Sequence, residues 1–102
     1  MSDIAQARAS LLLRLLEGDG HASPRERRAA FNDIELEPPV SGLVDKVAKD
    51  ADSVSADDIK AAIQSGFTED QIFELIVCAA VGEADRQHNA ALAVLDAATA
   101  GP

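Results

Sequence analysis

Apolar residues recur every three or four positions along most of the chain, which predicts helices rather than strands. The first such segment, residues 4–16, is apolar around most of its circumference because five leucines fall within six positions. Gly18 and Gly20 then end this helix. No segment alternates in the manner of a strand. We therefore predict an all-α fold, a small helical bundle of five or six helices.

Capping residues mark three further helix starts, each a Ser or Thr followed at the third helical position by an acceptor side chain. The pairs are Ser23 with Glu26, Ser55 with Asp58, and Thr68 with Gln71. Pro24 stands at the first helical position after Ser23, and that helix is expected to run to about Phe31. Gly66 is expected to end the helix after Ser55. A further helix is expected over residues 42–51, after an extended connector forced by Pro38 and Pro39.

The last third of the chain is the most apolar. Glu74 is the only charged residue between positions 72 and 81, so this helix is expected to be the most buried. Gly82 follows, and it either kinks one long helix or separates two. Helical spacing then continues over residues 83–98. One face there carries Ala84, His88, Ala91, Leu92 and Leu95.

The net charge of the chain limits the classes of partner that it can bind. The 102 residues have a formal net charge of −9 and 47% apolar residues, which predicts one packed domain over residues 1–102 and argues against nucleic-acid or membrane-surface binding. Residues 1–37 are interpreted as an N-terminal helical pair. No membrane-length apolar stretch and no signal-peptide pattern at the N-terminus are present, so a cytoplasmic location is expected.

Candidate chemistry is sparse. The lone Cys78 excludes an intrachain disulfide or a CxxC pair, and its apolar neighbours predict a buried, inert thiol. Residues 50–58 have the acids of a calcium loop but lack its glycine and final glutamate, so neither a metal nor a cofactor is expected. We assign no role to His21. Arg25, Arg27 and Arg28 are interpreted as a solvated helix face that pairs with nearby acids, or as a basic surface that contacts another subunit's acidic part.

His88 is the one histidine for which chemistry is considered. It lies on the small-residue face of the last helical segment, with Glu83 and Asp85 nearby in sequence. It could act as a general base with one of these acids. Alternatively, it could satisfy a single hydrogen bond at a helix interface.

The segment from Asp58 to Glu74, DIKAAIQSGFTEDQIFE, resembles the core of the carboxymuconolactone decarboxylase and alkyl hydroperoxidase D-like superfamily. In that family a helix ends in Ala-x-x-x-Gly-hydrophobic-Thr/Ser, and a capped start then leads into an apolar, Ala-rich helix. Residues 79–84 and 89–92 resemble the family's last helices, and the resemblance covers residues 43–97. It implies an alkyl hydroperoxidase D-like helical fold and assembly as trimers or hexamers.

The family's redox motif is missing from this chain. Its Cys-x-x-Cys-x-x-x-His pattern would place the two cysteines at Ala51 and Val54 and the histidine at Asp58. The acid that lies upstream of the motif would fall near Pro38 and Pro39. Thiol peroxidase chemistry needs a thiolate and a resolving thiol in reach, and neither position supplies one.

Three interpretations remain open. The first is a non-redox member of the family, a homo-oligomeric binding or accessory protein that self-associates as a dimer, trimer or hexamer and whose small-molecule ligand is unknown. The second is a decarboxylase-like enzyme in which His88, with Glu83 or Asp85, transfers a proton on a small lactone or keto acid. The third is a monomeric helical interaction module. Surplus apolar surface on the first helix favours self-association.

We predict no thiol peroxidase activity. With a peroxide and a thiol reductant, the wild-type protein should consume peroxide at the uncatalysed rate, because its single thiol has no resolving partner. The measurement is a coupled peroxide-consumption assay, with Cys78→Ser as the control. Turnover that disappears in Cys78→Ser would contradict this prediction.

Overall fold

Five α-helices form the structure, a computed structural model that describes residues 2–101. Met1 and Pro102, the ends of the predicted domain, lie outside the described residues. The helices are α1 (Ser2–Glu17), α2 (Pro24–Asn32), α3 (Val40–Lys49), α4 (Ala56–Gln64) and α5 (Glu69–Thr99), with a short 3-10 turn at Ala51–Ser53. Residues 2–101 contain no strand, so the predicted all-α class is confirmed.

The three predicted capping boxes are confirmed. At α2 the Ser23 hydroxyl accepts the Glu26 N–H at 3.1 Å, while the Glu26 carboxylate accepts the Ser23 N–H at 2.9 Å. Ser55 with Asp58 and Thr68 with Gln71 form the same reciprocal pair at α4 and α5. Each pair satisfies two backbone N–H groups that the first helical turn leaves without a partner.

The start of α3 differs from the sequence expectation, and of the two alternatives for Gly82 the structure has the single helix. α3 begins at Val40 rather than Gly42, because Pro39 is its N-cap and the Pro39 carbonyl accepts the Leu43 N–H at 3.2 Å. The proline pair therefore leads directly into a helix. α5 is a single helix of 31 residues that continues through Gly82.

The core lies where α2, α3 and α4 pack on the first half of α5. Its fully buried large side chains are Val40, Val44, Ile72, Leu75 and Cys78. The predicted burial of residues 72–81 holds for only one face of α5, since Phe73 is 66% exposed.

In α1, Leu12, Leu15 and Leu16 pack against the core while Leu11 and Leu13 are exposed, because five leucines cannot share one helix face. No helix of the described residues is long and apolar enough to span a membrane.

α2 and α5 cross with their backbones in direct contact. A Cβ built on Gly82 would overlap the carbonyl group of Phe31 and would lie 2.7 Å from its carbonyl carbon. The Phe31 carbonyl, at the end of α2, also accepts a 2.6 Å hydrogen bond from Nη1 of Arg86, one turn further along α5. Any larger residue at position 82 would push the two helices apart.

We predict that Gly82→Ala lowers the free energy of unfolding by about 1–3 kcal/mol, because its methyl group meets backbone that cannot move aside. Gly42→Ala is the matched control. A Cβ at Gly42, within α3, meets nothing within 4 Å. This substitution should raise the free energy of unfolding by about 0.5–1 kcal/mol. Urea titration followed by circular dichroism at one protein concentration measures both, and a Gly82→Ala variant as stable as wild type would contradict the prediction.

Candidate functional site

Glu74 anchors the loop between α1 and α2 to α5. Its carboxylate accepts the backbone N–H of His21 at 2.8 Å and that of Ala22 at 3.0 Å, and it lies 2.9 Å from Nδ1 of His21. Burial alone would raise the pKa of Glu74, but the hydrogen bonds from Ala22 and His21 outweigh it, and the pKa is lowered. The Glu74 carboxylate, together with the Gln71 amide that donates to the His21 carbonyl at 3.2 Å, thus fixes this loop on α5.

Arg27 is a buried cation, only 5% exposed. Its Nη1 donates to the Leu15 carbonyl at 3.0 Å. Within the described residues, no carboxylate oxygen lies within 4.0 Å of the guanidinium, and Nε has no hydrogen-bond partner. The expectation of a solvated arginine face is therefore wrong for Arg27. It does hold for Arg28, which is half exposed and pairs with Glu17.

Arg27 and Glu74 both line a cavity of about 390 Å³ between α1, α2 and α5, which we call the Arg27 cavity. Apolar atoms form most of its surface. Gly20 forms part of its wall, where a Cβ would lie 2.6 Å from Oε1 of Glu74 and 3.5 Å from Nη1 of Arg27. The lining residues are Arg14, Leu15, Asp19, Gly20, His21, Arg27, Phe73, Glu74, Val77 and Cys78.

Cys78 lies at the wall of this cavity without accessible surface, in agreement with the sequence prediction of a buried thiol. Burial raises its pKa to about 11, although the positive charge of Arg27 works in the opposite direction. At neutral pH the group is therefore the neutral thiol, which is a poor nucleophile.

The positions that correspond to the redox motif have structural roles. Ala51 lies in the 3-10 turn, and Val54 packs partly against the core. Asp58 accepts from Nζ of Lys46 at 2.9 Å and caps α4. The ion pair with Lys46 and the hydrogen bond from Ser55 hold the pKa of Asp58 below its usual value. None of these three residues lines the Arg27 cavity.

The structure does not bring His88, Glu83 and Asp85 into this cavity. His88 is exposed on the second half of α5. Glu83 accepts from Nη2 of Arg86 at 2.9 Å, and this contact lowers its pKa. Asp85 pairs with Arg8 of α1. Both acids are thus already engaged, and His88 itself is open to solvent.

The second half of α5 stands clear of the bundle. Every residue from 87 to 99 is exposed, and we call this segment the α5 arm. Leu92, Val94 and Leu95 are large apolar side chains that the arm leaves open to solvent. Asp96 is its only charged residue.

Sequence reasoning missed His21, Arg27 and Glu74. The sequence contains one signal for Glu74 and another for Arg27. Glu74 is a lone acid in an apolar helical run, and a carboxylate in such a place requires a partner. Arg27 lies three and four positions before Ala30 and Phe31, which puts it on the buried face of α2. His21 is placed by Glu74 and by Gln71, whose side-chain amide donates to the His21 carbonyl at 3.2 Å. Both partners lie about fifty positions away in sequence, so no local signal identifies it.

No group of three or more metal-ligating side chains comes together within residues 2–101. Compared with known protein families, with curated proteins and with solved structures, the chain gives no significant match.

We predict that Glu74→Gln lowers the free energy of unfolding by about 1–3 kcal/mol at pH 7, because the loop N–H groups lose a charged acceptor. The pKa of Glu74 is lowered from 4.5 on folding. Its contribution is therefore complete above about pH 5 and is lost as the pH falls through the folded-state pKa. The gap between wild type and variant should narrow below pH 4.5.

Urea titrations at pH 7 and at lower pH measure this gap. Glu37→Gln is the control, since it removes an exposed carboxylate from the connector between α2 and α3. A Glu74→Gln variant whose stability matches wild type at pH 7 would contradict the prediction.

Proposed function

We propose that the protein is a non-redox member of the carboxymuconolactone decarboxylase and alkyl hydroperoxidase D-like superfamily that works as a homo-oligomeric binding protein. The order of helices supports this: α4 ends just before Gly66, and the capped start at Thr68 leads directly into apolar α5, as in the family pattern. The buried Cys78 thiol, with its pKa raised to about 11, supports the non-redox assignment.

The exposed apolar side chains of the α5 arm are the main support for self-association. An isolated helix of 13 residues gains little stability from its own hydrogen bonds, and tertiary packing normally stabilises such segments. Here the described chain provides no packing partner, while Leu92 and Leu95 lie on the face that the sequence pattern predicts to be apolar. A second copy of this chain is the partner that fits such a face.

The charge of the arm permits a second copy there. Two copies with a formal net charge of −9 each repel one another overall. The arm has one charged residue, Asp96, so two copies approach there with little electrostatic repulsion. Its alanines at positions 90, 91, 93, 97 and 98 allow close approach between two helices.

Proton transfer by His88 receives no comparable support. The residue lies on the arm, outside the Arg27 cavity, and the acids Glu83 and Asp85 are paired with Arg86 and Arg8. On the arm, His88 is one turn from Leu92 and belongs to the proposed contact face.

Light scattering at micromolar concentration should give a multiple of the 10.7 kDa chain mass. Leu95→Glu should shift the assembly towards monomer, with an apparent dissociation constant raised about tenfold or more, because it places a charge in an apolar contact. Ile34→Glu is the matched control. Ile34 lies in the connector between α2 and α3 and is 52% exposed, compared with 55% for Leu95.

Ile34→Glu should assemble like wild type. A monomeric wild-type protein would refute self-association. Leu92→Glu and Leu95→Glu variants that both remain assembled would exclude the arm, and Leu13→Glu would then test α1.

A further inference from the structure

We infer that the Arg27 cavity binds a small organic monocarboxylate with an apolar body, its carboxylate placed at the Arg27 guanidinium. This inference goes beyond self-association and does not depend on it, since the cavity is formed within a single chain by α1, α2 and α5. It rests on three observations: a buried cation without a partner, the apolar lining of the cavity, and the engagement of the nearby carboxylate.

Arg27 provides the anion recognition. A guanidinium has five N–H donors, and in the described residues only Nη1 has an assigned acceptor, the Leu15 carbonyl. A buried charge that lacks a counter-charge is costly, and a buried N–H without an acceptor adds to the cost. Nε is such a group. A carboxylate in the cavity would supply the counter-charge and accept from the N–H groups that remain free on Nη1 and Nη2.

The nearby Glu74 cannot take this role, because its carboxylate already accepts from the His21 and Ala22 backbone and faces Nδ1 of His21. Its charge does affect the choice of ligand. The charged side chains of the wall are Arg14 and Arg27 against Asp19 and Glu74, so the wall is neutral in sum. Arg27 is the buried cation among them and matches a monoanion, whereas the second charge of a dianion such as phosphate would lie unbalanced near Glu74.

The remaining wall selects an apolar body. Leu15, Phe73 and Val77 line the cavity, and Phe73 is 66% exposed, so its side chain is accessible to a ligand. A volume of about 390 Å³ is at the small end of ligand pockets, which are roughly 300–1,000 Å³. A short-chain fatty acid or an aromatic monocarboxylate fits this description.

Calorimetric titration with sodium octanoate, below its micelle concentration, tests the inference against 1-octanol, which has the same body and no charge. The wild-type protein should bind octanoate about tenfold or more tightly than octanol. Arg27→Met should weaken octanoate binding by the same factor and leave octanol unchanged, because methionine keeps an apolar stem and removes the charge. Arg28→Met, at the next position of α2, is the matched control and should bind like wild type.

A second measurement keeps the test valid if Arg27→Met does not fold. In the ¹H–¹⁵N spectrum of the wild-type protein, the Nε–H signal of Arg27 should shift on addition of octanoate and not of octanol. The absence of octanoate binding, equal affinity for octanoate and octanol, or an unmoved Arg27 signal would each overturn the inference. The same titration with Leu95→Glu should give wild-type affinity for octanoate. Ligand binding in the Arg27 cavity is thereby tested independently of self-association through the α5 arm.

Discussion

The contact between the backbones of α2 and α5 at Gly82 determines how the other helices are arranged. Because the Phe31 carbonyl occupies the space of a side chain at position 82, the end of α2 lies in direct backbone contact with α5, and the Arg86 hydrogen bond fixes the same point. The crossing directs Phe31 and Ala30 into the core and determines where the loop before α2 meets α5. Glu74 can therefore reach that loop two turns earlier on the same helix.

The same crossing places two opposite charges on the wall of one cavity without letting them neutralise each other. Arg27 points inward from α2, and Glu74 points to the loop from α5. If Glu74 and Arg27 formed an ion pair, the Glu74 carboxylate would no longer bind the loop, and the cavity would no longer hold an unpaired cation. As it is, Glu74 stabilises the loop, and the Arg27 guanidinium keeps the free N–H donors on which the inferred carboxylate binding depends.

The helices were predictable from sequence to the extent that their signals are local. Ser23, Ser55 and Thr68 cap their helices through residues three positions away, so each start could be located without knowledge of the fold. The role of Gly82 was not predictable in this way, because it depends on Phe31 in a different helix. Arg27 was misjudged because its charged neighbours suggested a solvated face, whereas its position relative to Phe31 decides its burial.

Because one half of α5 is packed and the other is exposed, the two halves of this helix differ in their stability against local unfolding. On the packed face of the first half, an amide proton exchanges with solvent only when the bundle opens, since its hydrogen bond lies beneath α2 and α3. In the α5 arm of an isolated chain, the helix frays from Thr99 inwards and exposes each amide in turn. The high helix propensity of its alanines is then what stabilises it against fraying. Deuterium uptake along this helix thus reports directly whether the arm has found a partner.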